Sequence, residues 1–276
     1  MLRRFCYHAF WNFYDYLGTH TLVGSLYVLI LLGLLVLLSL LPLPVGGSFI
    51  IGLLIALILT SVAIAALYPF SARVALGEHP RLPQLLGGLS MHLKQVAVVY
   101  LLWTIFAIVL IFNLFFYSKV QQEATQAGFQ TALIILSAVV GWIAFAWALL
   151  MSPLHCAATY PSAEHSLRKV LSRAIMVFTL SPLMWIMLLV IAVSVLVVGI
   201  YTRVGLIFVL PVMASLGQTA YHLCVQYAGF LTQARTDIGA DRPLKEYRKR
   251  ANELAWQWEH EQPRRTFKEL IRPWEY

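Results

Sequence analysis

Eight histidines and three cysteines have the widest chemical reach in this 276-residue chain. His155 stands beside Cys156, and His222 lies near the end of a long apolar run. A transmembrane haem or chlorophyll needs histidines at matched depth on facing helices. His155 and His222 are the one pair whose spacing allows this, near the inner membrane surface; the simpler reading of both is as interfacial polar anchors. Chemistry on a lipid would need His8, His155, Cys156, His165 and His222 to gather in one place. His8, His20, His79, His92 and His165 fall in or near the segments expected to be cytoplasmic. Cys6, Cys156 and Cys224 are far apart and form no CxxC pair, so neither a redox motif nor a disulfide framework is expected. HExxH, GxSxG and Walker sequences do not occur, which removes the common signatures of zinc hydrolysis, acyl transfer and ATP hydrolysis. The expectation is a protein that is not an enzyme, with no catalytic, cofactor or metal residues.

The carboxylates point the same way. All 12 acids lie outside the apolar runs: Asp15, Glu78, Glu123, Glu164 and the rest in the C-terminal tail. An ionisable group inside a span is costly and usually functional. Their absence there argues against proton- or sodium-coupled transport and against a cation channel built on acidic rings. What remains at mid-span is mild: Thr60, Ser61, Thr104, Ser137, Ser194, Ser215 and Gln218. Hydroxyls can satisfy themselves on their own helix or across a helix pair. The amides of Asn113 and Gln218 cost more in lipid and are expected to face another helix, as packing groups or as ligand contacts.

The elements that must carry these groups are membrane helices. The chain is 60% hydrophobic and 12% charged, against roughly 25% charged residues in a soluble domain. A helix needs about 20 apolar residues to cross the hydrocarbon core. Six such runs can be placed, at 21–41, 48–68, 96–117, 131–152, 175–200 and 204–225. The first two are separated by Pro42-Leu-Pro-Val-Gly-Gly47, read as a tight turn, and Gly87-Gly88 is read as a turn or hinge. Pro182 and Pro211 are expected to kink the fifth and sixth spans.

Charge sets the direction. Of the 20 Lys and Arg residues, all but Lys119 and Arg203 fall on the side shared by the two termini. The positive-inside rule makes that side cytoplasmic. The net charge of +8 is then explained by orientation and lipid headgroups, without a nucleic-acid partner. Trp11, Phe13, Tyr14 and Tyr16 before the first span, and Phe112, Phe115, Phe116 and Tyr117 ending the third, read as interfacial belts.

The cytoplasmic segments are expected to be helical. Ser162 with Glu164 resembles a helix start, running through His165–Arg173 directly into the fifth span. A matching segment, Pro83–Lys94, precedes the third. Each follows a span that ends near a proline (Pro69, Pro153), a rhythm compatible with an old duplication or with ordinary interfacial preferences. The expected division is a membrane domain over 1–228 and a cytoplasmic amphipathic tail over 229–276. In the tail, Leu244, Tyr247, Ala251, Leu254 and Trp258 form one helical stripe. These residues, with Trp274 beyond Pro263, are expected to dock on the protein itself, on lipid or on a partner.

The pattern resembles the YesL-like bacterial membrane proteins. It is carried by Phe10-Trp-Asn-Phe-Tyr14, Leu41-Pro-Leu-Pro44, Ala66-Leu-Tyr-Pro69 with Arg73 and Gly77-Glu78, Met91-His-Leu-Lys-Gln95, Asn113-Leu-Phe-Phe-Tyr117 and Leu167-Arg-Lys-Val-Leu171. The likeness covers about residues 5–228, and the tail lies outside it. It implies a bacterial inner-membrane protein without an established activity, some of whose relatives sit beside carbohydrate ABC transporters. The expectation is therefore an all-α polytopic bundle of six spans with both termini cytoplasmic. Its role is that of an accessory or assembly protein with a membrane-protein partner or a second copy of itself. The alternatives are a permease for a neutral or lipid-like solute and a structural subunit of a larger electron-transfer complex.

Overall fold

The computed structural model describes residues 2–41, 45–81, 83–123, 127–161, 166–202, 206–239 and 242–261. Among them the chain forms helices α1 (Leu2–Asp15), α2 (Leu17–Ser39), α3 (Val45–Ala75), α4 (Pro83–Glu123), α5 (Ala127–Thr159), α6 (Leu167–Leu180), α7 (Pro182–Thr202), α8 (Leu206–Ile238) and α9 (Leu244–Glu261). Six of these, α2, α3, α4, α5, α7 and α8, are long and apolar enough to cross a membrane. The protein is an all-α, multi-pass membrane bundle.

Two compact units divide between Leu223 and Cys224, inside α8. In the first, α3 packs against α1, α2, α4 and α5, and α5 also meets α6 and α7. Over its most apolar stretch α3 is 56% buried, against 11% for α2, α4 and α5, so α3 is central and the other three turn most of their surface to lipid. A bundle in lipid gains nothing by hiding Leu or Ile, so helix contacts fall to small and polar residues. Ala63, Ala65, Ala72, Ala157, Ala158, Ala214 and Ala220 are accordingly among the most buried positions.

Three in-helix prolines meet glycines of neighbouring helices. A proline inside a helix deprives the carbonyl four residues earlier of its partner. Pro69 does this to Ala65 in α3, and Gly88 of α4 sits on that place: a Cβ there would lie 3.2 Å from Pro69 Cβ and 3.4 Å from the Ala65 oxygen. Pro211 does it to Ile207 in α8, and a Cβ on Gly24 of α2 would collide with the Ile207 carbonyl. Beside Pro153 in α5, a Cβ on Gly217 of α8 would stand 3.0 Å from Ser152 Oγ and 3.1 Å from Cys156 Sγ.

Several expected boundaries are corrected by these helices. Pro69 and Pro153 do not end their spans; each lies six residues before the helix terminus, at Ala75 and Thr159. Gly46-Gly47 and Gly87-Gly88 are not turns but parts of α3 and α4, and the expected helix over 83–94 is continuous with the third span. The turn glycine is Gly77 (φ 80), where Glu78 N–H donates to Arg73 O at 3.0 Å and closes α3. Pro182 does more than kink the fifth span. Proline disfavours the α conformation in the residue before it, and here the helix yields: Ser181 sits at φ −149, ψ 68, and α7 restarts with Pro182. The break lets α6 lie as a separate amphipathic helix, burying Val170, Ala174 and Val177 while Trp185 Nε1 donates back to Val177 O at 3.3 Å. The helix start expected at Ser162–Glu164 lies outside the described residues; α6 begins after Ser166.

The second unit is a helical hairpin. The sixth helix does not stop near Val225 but runs to Ile238, so the expected membrane domain and tail share it. Gly239 (φ 88) ends it, and α9 folds back along it. Tyr247 OH donates to Gly239 O at 2.8 Å and accepts from Arg242 N–H at 3.0 Å, pinning the turn. Arg250 meets Asp237 at 3.3 Å, and Tyr227 OH donates to Asn252 Oδ1 at 3.2 Å. Ala234, Ala251 and Ala255 are buried; Tyr247, Leu254 and Trp258 are half-buried. Leu244 departs from the expected stripe and is exposed, and Trp274 lies outside the described residues.

Candidate functional site

Polar side chains inside the first unit gather where α3, α4, α5 and α8 meet. Most hydroxyls on the spans are spent on their own helix: Ser61 donates to Leu57 O, Thr104 to Tyr100 O and Ser194 to Val190 O, each at 2.8 Å. Asn113 behaves in the same way. Its amide donates to Val109 O at 2.7 Å, so it closes on its own helix backbone. Gln218 is fully buried and does face another helix: Nε2 donates to Thr159 Oγ1 of α5 at 2.8 Å, and Cys156 O lies at 3.5 Å. Its Oε1 has no hydrogen-bond partner in the structure.

His155 and His222 have separate surroundings. His155 is inside α5, wholly buried, with Nδ1 2.8 Å from Met151 O and its ring between Tyr68 (6.0 Å) and Tyr100 (5.8 Å). His222 Nδ1 lies 2.7 Å from Tyr160 OH. Burial pushes the Tyr160 phenol up to about 12, so it keeps its proton at neutral pH. His20, in the first turn of α2, is buried and stacked on Phe13 at 5.3 Å with Phe70 at its edge. His165 lies outside the described residues. Among the described residues no three His, Cys, Asp or Glu side chains gather where a metal ion could be held.

A cavity of about 480 Å³ opens beside this polar layer. Leu31, Leu189, Leu210 and Met213 give it apolar walls, and its polar lining is Tyr27, Thr60, Tyr68, Tyr100, Ser152 and Trp185. Tyr27 OH and Thr60 Oγ1 are 2.9 Å apart. The Ser152 hydroxyl is buried without a partner. No lining side chain is an acid, a base or a thiol. Leu32 (51% exposed), Val193 (52%) and Leu196 (43%) line the cavity and also stand on the outer surface, so it opens sideways between α2 and α7.

Sequence reasoning singled out Thr60 as a polar span residue but missed Tyr27, Tyr68, Tyr100 and Ser152. The available signal was tyrosine at mid-helix: Tyr27 in α2 and Tyr100 in α4 lie well away from the helix ends, where aromatic belts form. A tyrosine in that position must find a partner for its hydroxyl. No family model, curated protein or solved structure matches the chain.

Proposed function

We propose that the chain is a non-enzymatic, multi-pass protein of a bacterial cytoplasmic membrane, with both termini inside, that takes a neutral, lipid-like solute into its intramembrane cavity as a permease or carrier. The cavity carries this reading. It has the size of a small-molecule site, its walls are apolar with a few convergent hydroxyls, and it opens where lipid would lie. The lining offers no counter-ion for a charged solute. The distribution of Lys and Arg supports the orientation.

The test is retention and movement of a neutral lipid. The full-length protein purified into nanodiscs should carry a neutral lipid-like molecule detectable by mass spectrometry, and Ala192→Trp, which fills the cavity, should release it. Equal retention by the two proteins would overturn the reading.

The resemblance to YesL-like proteins and the exposed Leu244 and Trp256 of the hairpin favour a second role, as an accessory or assembly protein for a membrane partner such as a carbohydrate ABC transporter. A native-membrane pull-down should then lose its partner when residues 235–276 are removed. Every partner staying in place would dismiss this role.

A further inference from the structure

We infer that the solute carries one uncharged oxygen head, a hydroxyl or carbonyl, on an apolar body, and that this head is held by Tyr27, Thr60, Tyr68 and Tyr100. The inference rests on the cavity being a solute site. The side chains of Tyr27, Thr60, Tyr68 and Tyr100, from α2, α3 and α4, bring hydroxyls to one cavity whose other walls are largely apolar. Burying a hydroxyl without a partner is costly, and Ser61, Thr104 and Ser194 avoid this by bonding to their own helix. Tyr27, Thr60, Tyr68 and Tyr100 line the cavity instead. Tyr27 OH and Thr60 Oγ1 share one bond. Two hydroxyls own two protons and one shared bond uses one, leaving one O–H to donate. The Tyr68 and Tyr100 phenols on the same cavity supply further donors, and the rings of both rest on His155 of α5.

Free donors suit an acceptor oxygen. A carboxylate or phosphate would enter without a cation beside it, and an ammonium without an acid, since no charged residue lines the cavity; an unpaired ion is expensive there. The apolar walls and the sideways opening suit a hydrocarbon or isoprenoid body arriving from the bilayer.

Equilibrium binding of hexadecanol, hexadecane and palmitate to the full-length protein in nanodiscs tests this. Hexadecanol should bind roughly tenfold tighter than hexadecane, the worth of one or two net hydrogen bonds, and palmitate more weakly than hexadecanol. Tyr100→Phe and, independently, Tyr68→Phe should each cut the preference for the alcohol and leave hexadecane binding unchanged. Equal binding of alcohol and alkane, both abolished by Ala192→Trp, would overturn the oxygen-head inference while leaving the cavity as a solute site. Preference for palmitate would overturn it too. Binding of neither the alcohol nor the alkane, or binding indifferent to Ala192→Trp, would overturn the cavity reading and this inference with it.

Discussion

At the scale of single residues, Gln218 separates packing from polarity. Its amide reaches Thr159, but Thr159 Oγ1 also donates to His155 O at 2.7 Å and does not depend on it. Gln218→Leu keeps the volume and removes an unpartnered oxygen, so it should cost little. Gln218→Ala leaves a void and should destabilise by about 2–5 kcal/mol; thermal unfolding of the two variants in one detergent makes the comparison. Tyr160 gives a pH signature. Its folded-state pKa is raised above 10.0, so its contribution is fully present below pH 10 and is lost as pH rises towards about 12. Tyr160→Phe should lack that alkaline component, and should cost about 1 kcal/mol at neutral pH, the net worth of its hydrogen bond to the half-buried His222. The inward turn of Gln218 was legible because a free amide in lipid is too costly. The self-satisfied Asn113 was not, because the carbonyl four residues back is an equally cheap partner. The grouping of Tyr27, Thr60 and Tyr100 was hidden, since it depends on the rotation of three separate helices.

At the scale of elements, glycine and proline act as pairs. Gly24 and Gly33 lie on the same helix, α2, but only Gly24 touches a neighbour; nothing lies within 4 Å of a Cβ on Gly33. Gly33→Ala should therefore be neutral or slightly stabilising, by up to about 1 kcal/mol from helix propensity. Gly24→Ala should lower the melting temperature by pushing α2 off α8, and differential scanning fluorimetry of the pair reads the contrast. The apolar runs located all six long helices because length and hydropathy are local properties. The continuation of α3 and α5 past their prolines was not visible locally. A neighbour's glycine makes room at Pro69 and beside Pro153. At Pro182 the helix does break, at Ser181, and α6 is free to bury a face of its own.

For the whole molecule, topology can be read with a native probe. Cys6 is exposed, whereas Cys156 and Cys224 are buried. With both termini cytoplasmic, a membrane-impermeant maleimide should label Cys6 in inverted vesicles and not in intact spheroplasts, with Cys6→Ser as the blank. Labelling in spheroplasts would reverse the proposed orientation. The lopsided Lys and Arg distribution made direction a property of the whole sequence. The hairpin of α8 and α9 was only half legible: the stripe at Tyr247, Ala251, Leu254 and Trp258 announced a docking face, but not that the face would be covered by an extension of the sixth helix.

The sideways opening between α2 and α7 changes the unit in which affinity is counted. A lipid-like molecule reaching the cavity through that opening is drawn from a thin, crowded film in which it is already concentrated by partitioning. Occupancy then follows its mole fraction among lipids, not its molarity in water. A site that looks weak in an aqueous titration can be full in the membrane, and diluting the protein at constant lipid composition should leave its occupancy unchanged.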